Sequence, residues 1–136
     1  MRHDQNQSKA IGTILAPVSL GEIIDKITIL EIKVKRLSGE ARLNANKEVS
    51  ALNACLAKAG VAINEETINQ LRNINLNLWE IEDRIREKER LNDFGSEFIE
   101  IARSVYKQND QRASIKRQIN ILHGSELVEE KSYRSY

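Results

Sequence analysis

The sequence predicts an all-α protein of about four helices, arranged as two antiparallel helical hairpins in a long-helix, coiled-coil-like bundle. Aliphatic residues alternate at spacings of four and three in four separate stretches, which is the period of one apolar helix face. A single proline among 136 residues leaves long helices unbroken. Glycine or an Asn-Asp turn follows each stretch, so the predicted helices cover residues 19–38, 40–59, 65–91 and 96–123.

The first predicted helix begins at a capping box. The Ser19 side chain accepts a backbone N–H of the first turn, and Glu22, three residues later, reaches back to the cap. Gly39 ends the helix, because glycine readily adopts the left-handed conformation found after helices. The apolar face is a row of five aliphatic residues: Ile23, Ile27, Leu30, Val34 and Leu37.

The second predicted helix is rich in alanine and ends at Gly60. Its apolar face comprises Ala45, Val49, Leu52, Leu56 and Ala59. Cys55 lies beside this face, and we expect it to be buried as a small apolar residue. A single cysteine cannot form an internal disulfide, which favours a reducing compartment.

The third and fourth predicted helices are longer and form the second hairpin about Phe94 and Gly95. The third helix carries a charged second half in which Glu80/Arg84 and Glu82/Arg86 have the favourable i,i+4 order. Its apolar face comprises Leu71, Ile74, Leu78, Ile81 and Ile85. The face of the fourth helix comprises Phe98, Ile101, Val105, Gln108, Arg112, Ile115, Ile119 and Leu122. Two polar residues, Gln108 and Arg112, therefore interrupt an otherwise apolar row.

The chain divides into an N-terminal arm (1–16), one helical domain (17–124) and a polar C-terminal tail (125–136). The longer second hairpin would extend beyond the first and leave apolar surface uncovered. We therefore expect self-association, most simply a two-fold homodimer.

Composition excludes several classes of protein. The net charge is +1, whereas nucleic-acid binders usually carry a basic excess, so the sequence argues against that partner. No run approaches the ~20 apolar residues of a membrane span, which argues against membrane insertion. We expect a cytoplasmic protein. Neither a Cys/His cluster nor a Ser-His-Asp arrangement is available, so no catalytic residue and no metal ligand is assigned.

The polar interruption in the fourth helix marks the first candidate site. In an antiparallel hairpin it lies opposite the acidic part of the third helix, with Arg112 in reach of Glu80. The candidate cluster comprises Glu80, Asp83, Arg103, Tyr106, Asn109 and Arg112. A buried ion-pair network that fixes helix register is the favoured interpretation. The alternatives are an anion or ligand site and a carboxylate site for magnesium.

A second polar set lies on the first helix and comprises Asp25, Lys26, Thr28 and Glu31. Ordinary i,i+4 pairs, Glu22/Lys26 and Glu31/Lys35, favour a solvated surface for this set. No cofactor is predicted, and magnesium enters only if the protein is a metal-assisted enzyme.

Three segments are specific enough to compare with known families: PVSLGEIIDKITILEIK (17–33), LWEIEDRIR (78–86) and FIEIARSVY (98–106), the last continuing to NDQR (109–112). Together they resemble a family of small uncharacterised all-helical proteins of aquatic bacteria and their phages. The resemblance covers about residues 15–133. It implies no established activity, so no residue inherits a role. It places some members near sugar-transferase genes and, for phage members, in the host cytoplasm.

Two functional hypotheses follow. The first is a non-catalytic helical interaction protein, a homodimer that binds a protein partner. The alternative is a small helical enzyme or ligand-binding protein for a nucleotide or sugar nucleotide, with the cluster between the third and fourth helices as its site.

Overall fold

The computed structural model describes residues 10–132 and 134–136, and within them the chain forms four α-helices and no strand. The helices are α1 (Leu20–Arg36), α2 (Gly39–Ala59), α3 (Glu65–Arg90) and α4 (Ser96–Leu122). Each end lies within two residues of its predicted position, so the all-α prediction is confirmed. The first nine residues of the predicted arm and Tyr133 of the tail lie outside the described residues.

Helix α1 is the centre of the assembly. It packs against α2, α3 and α4, and α3 packs against α4 along the second hairpin. The pairing of α1 with α2 and of α3 with α4 agrees with the two predicted hairpins. The backbone of α2 approaches α1 and not α3 or α4, and Leu56 is its contribution to the edge of the core. The bundle around the core is therefore formed by three helices, with α2 as an outer layer on α1.

The apolar core lies at the level where α1 begins. Ile24, Leu71 and Ile119 come from α1, α3 and α4 and are almost completely buried against one another. Leu56 of α2 and Ile63 of the following link close this cluster at its edge. Burial of each such side chain contributes roughly 1.5–3 kcal/mol, so this cluster fixes the relative position of the three helices.

Three side chains satisfy the first backbone N–H groups of α1. Ser19 Oγ accepts from Glu22 N at 3.2 Å, which confirms the predicted N-cap. Asn120 Oδ1 accepts from Gly21 N at 2.6 Å, and Ser125 Oγ accepts from Leu20 N at 3.3 Å. The end of α4 thus caps the start of α1. The predicted return contact of Glu22 is replaced, because its carboxylate pairs with Lys116 instead.

Gly21 permits α1 and α4 to approach this closely. A Cβ atom at this position would lie 2.5 Å from the backbone oxygen of Lys116, which is closer than non-bonded carbon and oxygen atoms allow. Its φ is not in the left-handed region, so the glycine is needed for space and not for backbone conformation.

Helix α2 is less buried than its sequence pattern predicts. Ala45 is its one buried residue, and Cys55 is exposed, so the prediction that Cys55 is a buried apolar residue is wrong. The reason is that α2 packs on α1 alone, and a helix with a single neighbour buries only a narrow stripe of its surface.

The far half of the α3–α4 hairpin is the least covered part of the fold. No residue from Leu76 to Glu100 is fully buried. We call residues 81–105 the distal arm. Within the described residues, no helix has the length and apolar character needed to cross a lipid bilayer.

Candidate functional site

A carboxylate with no exposed surface lies between α1, α3 and α4. Asp25 follows Ile24 on α1 and is 0% exposed. Arg112 of α4 contacts both of its oxygens: Nε donates to Oδ1 at 2.9 Å, and Nη2 donates to Oδ2. Such a two-point pair between a guanidinium and a carboxylate fixes the plane and direction of both groups.

One further side chain, Asn75, orients this carboxylate from the side of α3 and joins it to Thr28 of α1. Asn75 Nδ2 donates to Asp25 Oδ1 at 2.9 Å and to Thr28 Oγ1 at 2.8 Å. The Thr28 hydroxyl in turn donates to the backbone oxygen of Asp25 at 2.8 Å. All three residues are buried, so this network is shielded from water and its hydrogen bonds are worth more than surface ones.

Lys116 brings a second cation to the same place, one helical turn after Arg112. Its side chain is 10% exposed, and its ammonium lies 2.6 Å from Glu22, 3.4 Å from Glu129 and 3.8 Å from Asp25. Burial lowers the pKa of Lys116, but the hydrogen bond with Glu22 and the surrounding carboxylates outweigh it, so the pKa is raised. Lys116 is therefore charged at neutral pH.

We call this assembly the polar centre. It consists of the buried Asp25 carboxylate and the residues linked to it directly or through one intervening side chain: Glu22, Asp25, Thr28, Asn75, Arg112 and Lys116. The hydrogen bond with Asp25 raises the pKa of Arg112, against the lowering effect of burial, so the guanidinium also stays charged.

Arg112 presents one edge away from Asp25. Nε and Nη2 are engaged with the carboxylate, whereas Nη1 has only a long contact, 3.4 Å, with Asn109 Oδ1. Arg112 also lines a cavity of about 210 Å³, together with Asn109, Lys116, Glu22, Glu129 and Lys131. Glu129 and Lys131 belong to the segment after α4. The polar centre is thus open on the side where this segment lies.

The six residues of the cluster predicted between the third and fourth helices do not lie together in the structure. Arg112 and Asn109 lie at the polar centre, but the predicted contact of Arg112 with Glu80 is wrong, because Glu80 pairs with Arg36 at 2.7 Å. Asp83 and Arg103 are exposed on the distal arm. The Tyr106 ring packs edge-to-face on Tyr136 with centroids 4.9 Å apart. Gln108 is half-buried, and its side-chain oxygen has no hydrogen-bond partner among the described residues.

The second predicted set is also divided. For Asp25 and Thr28 the expected surface position is wrong, since both are fully buried. Lys26 and Glu31 have the expected partial exposure, but with other partners than predicted. Lys26 lies 3.5 Å from Glu48 of α2, and Glu31 lies 3.0 Å from Arg72 of α3. The polar break of α4 therefore meets α1, and not the acidic half of α3.

Sequence reasoning missed Lys116 and Asn75, and it gave Glu22 only a capping role. One signal was available for Lys116, because it follows Arg112 by four residues and therefore shares its helix face. Asn75 lies directly after Ile74 in a run of alternating asparagines, which gives no sign of burial.

The chemistry that this arrangement supports is recognition of an anion. Two charged donors line the cavity at Arg112 and Lys116, and an amide accompanies them at Asn109. Among the residues that the structure describes, no group of three or more His, Cys, Asp or Glu side chains is placed to hold a metal ion.

A family model with the description "Family of unknown function (DUF6165)" matches residues 15–136. The chain belongs to this family. The DUF6165 match covers all four helices and the following segment, and hence every residue of the polar centre. The predicted origin in aquatic bacteria and phages stays a prediction. No curated protein and no solved structure matches the chain.

Proposed function

We propose that this protein is a helical binding protein whose polar centre takes a small anionic group, phosphate or carboxylate, without transforming it. The observation that carries the proposal is the way the Arg112 guanidinium is held. Buried Asp25 binds Nε and Nη2, Nη1 has only a long contact with Asn109, and Arg112 lines a cavity together with Lys116. Because Asp25 already fixes the orientation of the guanidinium, the Arg112 side chain loses little conformational freedom when it binds an anion.

Glu129 supports an exchangeable position in this cavity. Its carboxylate lies 3.4 Å from the Lys116 ammonium, and its side chain is half exposed. Ion pairs with an exposed partner contribute little to stability, typically below about 1 kcal/mol. An incoming anion would replace Glu129 at Lys116 at low cost, while Asp25 would keep Arg112 in place.

The cavity size favours one anionic group over a whole sugar nucleotide. About 210 Å³ is smaller than the ~300–1,000 Å³ of sites that enclose drug-sized ligands. The ligand-binding alternative derived from the sequence is therefore kept with two changes. Its ligand is a single anionic group, and its site is the polar centre around Arg112.

The test is isothermal titration of the full chain with inorganic phosphate and with acetate, against sodium chloride at equal ionic strength. We expect saturable binding that Arg112→Lys weakens at least tenfold, because lysine cannot hold Asp25 and an anion at two edges. Arg117→Ala is the matched control, since Arg117 lies on the same helix but is exposed and pairs with Glu130. Heats equal to those of chloride would overturn the proposal.

A second candidate function is the homodimeric interaction protein, and the distal arm supports it. Leu91, Phe94 and Ile99 are more than half exposed at the tip of the arm. Charges on the same arm pair within the chain, with Lys88 lying 3.0 Å from Asp93 and 3.1 Å from Glu97. A second copy would therefore cover the apolar tip where the neighbouring charges are already paired, and two arms would form a four-helix bundle.

Light scattering after gel filtration tests this second candidate over a wide concentration range. We expect a dimer that the double substitution Phe94→Ser, Ile99→Ser converts to a monomer. Leu43→Ser is the control, because Leu43 is an equally exposed apolar residue on α2. A wild-type monomer at every concentration would contradict the dimer, and a protein partner would then be the remaining occupant of the tip.

A further inference from the structure

A second cavity, of about 370 Å³, adjoins the anion cavity along α4. It lies between α4 and the segment after it, and its wall includes the packed pair of Tyr106 and Tyr136. Arg134 adds a cation, and Asp110 adds a carboxylate. Aromatic rings next to basic and amide groups are the chemistry that proteins use for nucleobases.

The two cavities share a boundary. Asn109 and Lys131 line both of them, so a ligand group in one cavity would be adjacent to a group in the other. Tyr106, Asn109 and Arg112 follow one another at intervals of three residues, so each neighbours the next on the surface of α4, with Asn109 between the other two. Arg112 is six positions after Tyr106, which is about 9 Å along the helix axis.

We propose that the second cavity is a subsite for a planar nitrogen-containing ring, so that the ligand is a ring joined to an anionic group, as in a nucleoside monophosphate. This inference rests on the proposed anion site. The ring stacks on the exposed face of Tyr106, which is 41% exposed beside Tyr136. The phosphate lies between Arg112 and Lys116, and the sugar spans the boundary at Asn109.

The fixed cations favour this orientation. In the anion cavity Arg112 is held by a buried carboxylate, and Lys116 is itself almost completely buried. The second cavity has the Asp110 carboxylate, and its own cation, Arg134, is exposed. A phosphate therefore meets the better ordered cations in the anion cavity, and the Asn109 amide can accept and donate hydrogen bonds at the edge of a base.

The experiment compares three kinds of ligand on the full chain by titration calorimetry: inorganic phosphate, ribose 5-phosphate and the four nucleoside 5′-monophosphates. Stacking on an aromatic side chain is worth about 1–3 kcal/mol per base, so at least one nucleotide should bind at least about fivefold more tightly than ribose 5-phosphate. Tyr106→Leu should reduce the affinity for that nucleotide to the level of ribose 5-phosphate. Arg117→Ala should leave the ratio unchanged.

The outcomes separate the two proposals. Equal affinity for ribose 5-phosphate and all four nucleotides, with phosphate bound, would overturn the ring subsite and leave the anion site intact. Absence of binding by phosphate and by every phosphorylated ligand would overturn both. A nucleotide preference that persists in Tyr106→Leu would show that the ring binds elsewhere and would also overturn the subsite.

Discussion

Arg112 and Asp25 are 87 positions apart in the chain, yet the Arg112 guanidinium donates hydrogen bonds to both carboxylate oxygens of Asp25 where three helices meet. Asp25 has no exposed surface, so Arg112, Asn75 and, at 3.8 Å, Lys116 take the place of water around its carboxylate. A buried charge that loses its main partner is strongly destabilising. The pair therefore couples the proposed anion site to the stability of the fold.

Removal of the Arg112 guanidinium should destabilise the fold. We expect Arg112→Met to lower the free energy of unfolding by about 3 kcal/mol, because Asp25 would stay buried without its cation. The double variant Asp25→Leu, Arg112→Met should recover part of the loss, since no buried charge remains. Urea denaturation measures both. Wild-type stability in Arg112→Met would mean that Asp25 is satisfied by Asn75 and Lys116 alone.

The close approach of α1 and α4 gives a second prediction. Gly21→Ala should destabilise the fold by roughly 1–3 kcal/mol, because the added Cβ meets the Lys116 backbone oxygen and the helices must separate. Thermal unfolding followed by circular dichroism measures the change. An unchanged midpoint would contradict the 2.5 Å approach, since alanine otherwise favours a helix over glycine.

Capping across the two helix ends gives a third prediction. Asn120→Ala should cost roughly 1–3 kcal/mol, because the Gly21 N–H would be buried without an acceptor. Ser125→Ala should cost less, since the Leu20 N–H is only partly buried and can turn to water. Chemical denaturation measures the free energy of unfolding of both variants. An equal decrease in the two would contradict the prediction that the Gly21 N–H depends on Asn120 more than the Leu20 N–H depends on Ser125.

Lys116 gives a pH dependence whose sign follows from its pKa. The folded-state value is raised above the ordinary 10.5, so the contribution of its charge is complete below pH 10.5 and is lost as the pH rises through the folded value. The difference in unfolding free energy between the wild type and Lys116→Met should thus be constant from neutral pH to about 10 and shrink above it. A decrease near pH 8 would mean that burial dominates and lowers the pKa.

The exposed position of Cys55 gives a direct chemical test. We expect the native protein to react with Ellman's reagent without denaturant, because Cys55 is exposed. The rate should approach that of the urea-unfolded chain. Reaction only after unfolding would show that Cys55 is covered, as the apolar pattern of α2 first predicted.

The helices themselves were accessible from the sequence because their signals are local. The spacing of aliphatic residues, the Ser19 cap and the glycines after the helices each act within one or two turns, so the ends were placed to within two residues. The polar interruption at Gln108 and Arg112 was also visible as a break in a regular row. These features depend on the order of residues and not on which helices become neighbours.

The partner of Arg112 could not be obtained in this way. An α3–α4 hairpin considered alone predicts that Arg112 pairs with an acidic residue of α3. In the structure α1 packs against both helices, and the guanidinium pairs with Asp25 of α1. Likewise, the burial of Thr28, Asn75 and Lys116 depends on a third helix that covers them. Sequence periodicity determined the helices and their polar break. Only the three-way packing of α1, α3 and α4 decided which charges meet, because contacts between distant residues depend on helix rotation, which local spacing does not fix.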